Sequence, residues 1–278
     1  MFITLAPNMQ TVRNIVIITV SMLILHCTAI RAQFLDAASG LLQMPSAEMG
    51  PAGTVMVTCN YLNSNATPPV WPYDTFNYGL SIVMLPRVEI GYVPTFIYKE
   101  NFPGINKAGE VEIVTLINQD RHFYAKIQLL QEGEFSKSWI PAIAVGVNDP
   151  TTGDVNKYKE IDYLNFDVTS GNGFFNRYYI VATKHFLTHA GTLGAHLGYQ
   201  YSQRIDHPYN GPCAALDWEP VWLQKKDVIS TKLIAEYDAR TFNIGFIASL
   251  WKNHIDIMVD LQALKWFSAG IRFKTVLL

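Results

Sequence analysis

"ISTKLIAEYDARTFNIGF", residues 229 to 246, holds two alternating runs on either side of Asp238-Ala239-Arg240. In the first run Ser230, Lys232, Glu236 and Asp238 share one face, interrupted only by Ile234, while Ile229, Leu233, Ala235 and Tyr237 share the other. In the second, Phe242, Ile244 and Phe246 oppose Asn243. A period of two is the side-chain period of a strand, so the stretch predicts a hairpin with one polar and one apolar face. Which face is the inside depends on the fold. A soluble β-sandwich buries the apolar face, whereas a membrane barrel turns it outward to lipid.

Composition favours the second arrangement. Charged residues are 16% of the chain against roughly 25% in soluble domains, and aromatics reach 13%, with 14 Tyr and 6 Trp. Lys plus Arg total 21 and Asp plus Glu 23, a formal charge of -2 with no basic stripe, so no nucleic-acid partner is expected. The N-terminus "VRNIVIITVSMLILHCTAIRAQ" combines Arg13, an apolar run from Ile15 to Leu25 and Ala32 before Gln33, the pattern of a signal peptide cleaved after Ala32. The run is short of the roughly 20 apolar residues of a membrane-spanning helix. Cys27 raises a lipoprotein alternative, against which stands His26. Cys59 and Cys213 then remain, and Cys59 on an apolar strand face reads as a small hydrophobe rather than half of a disulfide. No CxxC or His/Cys cluster has metal-ligand spacing, so neither a metal nor another cofactor is expected.

After residue 33 alternation recurs to the end of the chain, and no segment shows a helical period. Twelve strands are predicted, at 53–61, 76–85, 87–98, 121–131, 140–148, 174–186, 191–202, 213–221, 229–238, 241–250, 254–263 and 265–275. Most have the nine to eleven residues that a tilted strand needs to cross a hydrocarbon layer. Long polar connections at 62–75, 99–120, 149–173 and 203–212 fall at one end of the sheet, the asymmetry of outer-membrane barrels. Tyr61, Tyr98, Trp139, Tyr201, Trp218, Trp222, Tyr237, Trp251 and Trp266 fall near strand ends, where interface girdles form. The expectation is therefore all-β: an antiparallel, up-and-down transmembrane β-barrel of about twelve strands in a bacterial outer membrane. Residues 1–32 are the leader, 33–52 an irregular N-terminal segment and 53–278 the barrel. Membrane lipid is the expected partner, and the barrel the expected monomer.

Glu89, Lys126, Asp217, Glu219, Lys232, Glu236, Asp238, Asp256, Asp260, Arg272 and Lys274 all fall on polar strand faces and so are predicted to face the lumen. Twelve strands give an interior between the side-chain-filled barrel of eight and the open one of sixteen. Ion pairs could fill it, or it could be a hydrated channel. Segment 33–52, rich in Gly, Pro and small residues, is either a lumen plug or a periplasmic lead-in. An enzymatic reading would draw on His185, His189, His196, Ser202 and Asp206, as in a barrel hydrolase or deacylase acting on envelope lipids. His196 and Ser202 stand six residues apart on one strand, roughly 20 Å at about 3.3 Å per residue, which opposes a compact triad. No catalytic residue is assigned. A soluble exported β-sandwich acting as a binding module is the third reading.

Several stretches, in order, resemble the YjbH-like family of bacterial outer-membrane proteins. They are "ASGLLQMPSAEMGPAGTV" at 38–55, "RVEIGYVPTF" at 87–96, "FYAKIQLLQEGEFSKSWIPAIAVGVND" at 123–149, "YYIVATKHF" at 178–186, "LDWEP" at 216–220 and "LIAEYDARTFNIGF" at 233–246. The resemblance implies an outer-membrane barrel and a role in making or exporting surface exopolysaccharide. It adds polysaccharide and periplasmic export components as partners, and it carries no catalytic residues. The chain is shorter than typical members.

Overall fold

The computed structural model describes residues 38–65, 74–97, 100–105, 109–116, 119–150, 175–202, 209–225 and 228–277. The leader, and with it Cys27, lies outside them, as do Tyr98 and Asp206. Among the described residues no helix is long and apolar enough to cross a membrane.

All twelve predicted strands form. They are β1 (Thr54–Leu62), β2 (Thr75–Leu85), β3 (Val88–Ile97), β6 (Gln119–Leu130), β7 (Ala142–Asn148), β8 (Arg177–Thr188), β9 (Gly191–Tyr201), β10 (Gly211–Pro220), β11 (Ile229–Tyr237), β12 (Phe242–Leu250), β13 (Ile255–Gln262) and β14 (Trp266–Val276). Each pairs antiparallel with its sequence neighbour in the wall, and β14 returns to pair with β1 from Thr54↔Val276 to Tyr61↔Ala269. The sheet closes as a twelve-stranded barrel, so no edge is left unpaired. One closed sheet replaces the two packed sheets of the sandwich reading.

The connection between β3 and β6 departs from expectation. It holds a two-stranded hairpin, β4 (Glu100–Ile105) with β5 (Val111–Leu116), outside the barrel wall. "VEIVTL" carries the β-branched bias of a strand, but six residues give too few alternations to stand out inside a polar stretch.

Burial inverts the soluble pattern. Val57, Leu80, Phe123, Ile127, Leu197, Leu216, Phe242, Phe267 and Phe273 lie exposed on the outer face, while Glu89, Lys126, Lys232, Asp256, Asp260 and Arg272 are 0% exposed within. An apolar belt around a polar interior is stable only where lipid is the solvent. Aromatics mark both rims. Trp139, Trp222 and Trp251 are exposed at the end with short turns, and Tyr199 and Tyr201 at the other. The ring centroids of Tyr237 and Phe242 stand 4.9 Å apart across the β11–β12 hairpin.

Cys59 shares the outward parity of Val57, and Cys213 is buried in the lumen. On opposite faces of the wall, the two thiols are free.

Candidate functional site

The lumen is filled by the chain's own N-terminal segment. Residues 38–47 are buried, and their turn is closed by Leu41 N–H donating to the Met44 carbonyl (3.2 Å) and by the bridge between Gly40 and Pro45. This strap is apolar at Leu41, Leu42 and Met44, which join one buried cluster with Phe175, Tyr179, Val181, Tyr209, Ile234, Ile247 and Met258. Ile234, the apolar intruder on the polar face of β11, therefore has a partner. Opposite it in register stands Gly245, where a Cβ would press on the Leu42 side chain.

Carboxylates of the wall take the strap's backbone donors. Glu236 accepts from the N–H groups of Leu42 (3.2 Å), Gln43 (2.6 Å) and Met44 (3.2 Å), so three successive amides converge on one carboxylate. Gln43 Nε2 donates to Asp260 (2.6 Å), and Arg177 Nη1 donates to the Gln43 carbonyl (2.8 Å). At the strap's base, Glu89 accepts from Ser39 N–H (2.8 Å), Ser39 Oγ and Tyr124 Oη (2.8 Å). Lys126 Nζ donates to Ser39 O (2.8 Å), Ser39 Oγ (2.9 Å) and the Glu48 carbonyl. Hydrogen bonds to charged groups contribute about 1.5–3 kcal/mol each. The strap is seated by several of them on opposite walls.

Glu48 leads into the densest part of the network. Its Oε1 lies 2.9 Å from Lys232 Nζ and 3.2 Å from His185 Nε2. Burial by itself would raise this carboxyl, but the Lys232 ammonium, the His185 hydrogen bond and the charges of His196 and His185 together hold it well below the ordinary range. Glu132, in the turn between β6 and β7, receives Lys184 Nζ (2.5 Å) and lies 2.7 Å from His185 Nδ1. Burial raises it too, and those two partners outweigh burial, so its carboxyl is also lowered. Asp217 Oδ1 stands 3.4 Å from Lys232, and Asp217 Oδ2 2.6 Å from His196 Nε2.

The remaining predicted residues divide by place. Asp238 is buried at the long-loop rim and accepts from Arg240 and Thr241 backbone N–H groups at 2.9 and 2.8 Å. Arg240 lies 3.6 Å from the ring centroid of Tyr209. Glu219 sits at the short-turn rim, its side chain 25% exposed and 3.7 Å from Lys232. Asp256 binds Arg272, Lys274 Nζ (2.8 Å) and Ser249 Oγ (2.6 Å) on the β12–β14 wall, apart from the strap's contacts.

The structure does not bring His196 to Ser202, whose N–H instead donates to Asn210 (2.5 Å). His189 is in the exposed β8–β9 turn. His196 joins Thr183, whose Oγ1 lies 2.9 Å from Nδ1, and Asp217. Thr183 Oγ1 also accepts the Ala47 N–H (2.9 Å), which places it beneath the strap, closed to a substrate carbonyl. Sequence spacing alone misses this convergence of His185, His196 and Asp217. The signal lies in cross-strand register, where Thr183 pairs with His196, and Gly194 pairs with both His185 and Asp217.

No curated protein matches the chain. Among solved structures it is similar to one titled "Low pH structure of Pseudomonas putida OprB", at TM-score 0.28 and 10% identity, covering 80% of this chain and 90% of that one. A family model described as "Exopolysaccharide biosynthesis protein YbjH" matches residues 36–156. That span takes in the strap and β1 to β7, and over it the resemblance to the YjbH family holds.

Proposed function

We propose that this protein is a strap-closed outer-membrane barrel that supports the production or export of a surface exopolysaccharide without itself catalysing a reaction. The observation that carries this is the filled lumen. A wall of buried charged groups of both signs is hydrogen-bonded by the chain's own residues 38–48, so that strap displacement would open a polar passage. The description of the matching family supplies the polymer class. A polar, mixed-charge wall suits a hydroxylated chain better than a strongly charged or an apolar one. In this reading the chain reaches the outer membrane by a leader cleaved after Ala32, acts as a monomer and meets periplasmic export components at its short-turn end.

Chromosomal deletion tests the reading. Surface exopolysaccharide, measured as sugar released from washed cells, is expected to fall and to return on complementation with the wild-type chain. An unchanged yield would sink the proposal. Complementation with His196→Ala is expected to restore the polymer; a lipid-modifying activity lost with that variant would instead favour the hydrolase.

A further inference from the structure

We propose that the lumen binds one divalent transition-metal ion, Zn²⁺ by the character of its donors, between His185 Nε2, His196 Nε2 and Asp217 Oδ2, with Glu48 of the strap as the fourth ligand. The ligand atoms of His185, His196 and Asp217 all lie within 4.8 Å of one another. Tetrahedral donors at Zn–N and Zn–O lengths of about 2.0–2.1 Å stand roughly 3.3 Å apart. His185 Nε2 and Glu48 Oε1 are already at 3.2 Å, the 2.6 Å between His196 Nε2 and Asp217 Oδ2 has to open by about 0.7 Å, and a pair at the 4.8 Å limit has to close by about 1.5 Å.

The surroundings have the construction of a metal site. Each histidine turns its other nitrogen outward, His185 Nδ1 to Glu132 Oε2 at 2.7 Å and His196 Nδ1 to Thr183 Oγ1 at 2.9 Å. Such outer partners set ring orientation and direct Nε2 at the ion. Gly194 pairs in register with His185 on one side and Asp217 on the other, and a Cβ there would collide with the Asp217 carboxylate. The missing side chain is what lets the three donors meet. Asp217 is 1% exposed, and its Oδ1 accepts no hydrogen bond among the described residues. Lys232 stands 3.4 Å from that oxygen, so Oδ2 is left to the ion.

Donor chemistry agrees with the geometry. Two imidazoles with carboxylates suit Zn²⁺ better than Mg²⁺ or Ca²⁺, which prefer all-oxygen shells. The side chains of His185 and Glu48 are 25% and 20% exposed, which gives an ion a way in from the short-turn end. Bound there, it would tie the strap to β8, β9 and β10. The inference rests on this geometry and stands apart from the polysaccharide reading.

The test uses the full-length protein in detergent, stripped with EDTA and dialysed against Zn²⁺. Metal analysis is expected to find one equivalent in the wild type and in the turn variant His189→Ala, and none in His185→Ala/His196→Ala. Glu132→Gln should bind 10–100-fold more weakly, the usual effect of losing an outer partner. Co²⁺ substituted into the wild type should give the visible absorption of a tetrahedral site, a readout that needs no variant to fold. Equal metal uptake by the wild type and the double variant, or no such absorption in the wild type, would overturn the inference.

Discussion

Glu236 holds the tip of the strap by receiving three consecutive backbone N–H groups, and removing it strands all three. Each unmet buried donor costs about 1–3 kcal/mol. Glu236→Ala is therefore expected to weaken strap docking by at least about 3 kcal/mol. Cys213 packs in the cluster that the strap covers and reports the change. A hydrophilic maleimide should modify it on the order of 100-fold faster in Glu236→Ala than in the wild type, following the same energy. Glu48 adds a pH dependence. Its folded value lies below the ordinary 4.5, so its contribution is complete above that value and is lost as pH falls from 4.5 through the depressed value. Normalised at each pH to the labelling of the acid-unfolded chain, which removes the fall in thiolate fraction, Cys213 labelling should thus stay low at neutral pH and rise in acid, whereas Glu48→Gln should label faster already at pH 7. Ala239, in the turn of the opening stretch, has φ 74, a left-handed conformation that costs a non-glycine residue about 1 kcal/mol. Ala239→Gly should raise the unfolding temperature modestly, as read by circular dichroism.

At the scale of elements, the β12–β14 wall is held by a buried charge cluster rather than by the strap. Asp256 is 0% exposed and binds Arg272, Lys274 and Ser249. Removing one partner of a buried ion pair leaves the others uncompensated, at a cost of about 3–5 kcal/mol. Asp256→Ala is expected to lower the temperature at which the barrel loses its compact gel mobility, and Arg272→Met with Lys274→Met in the same chain to recover part of the loss. The positions of the barrel strands were legible in the sequence, because each alternates over enough residues to show its two faces. The β4–β5 hairpin was not, since its two strands are six residues each, too short to show two faces, and stand outside the wall. Ile234 shows the same limit from the other side. A single apolar residue on a polar face looks like noise until Leu42 and Met44 are seen beside it.

For the molecule as a whole, closure of β1 on β14 and seating of the strap together predict a barrel that is present but shut. In planar bilayers the wild type should show little conductance, and Glu48→Gln/Glu236→Ala should show frequent openings. Equal, steady conductance in both would mean that the strap does not obstruct the lumen. Heat-modifiable migration in both would separate this outcome from a failure to fold.

The sequence by itself determined the strands, their two unlike faces and, through low charge and rim aromatics, the sense in which those faces point. All of these are local periodicities or sums over the chain, and they survive without knowing which strand lies beside which. Only the tertiary structure decided that residues 38–48 fill the lumen and that His185, His196 and Asp217 meet. Those contacts join residues far apart in the chain, Leu42 to Glu236 and His196 to Asp217, and they depend on barrel closure and strand register. Period-two alternation says which side a residue takes, and register alone says whom it meets there.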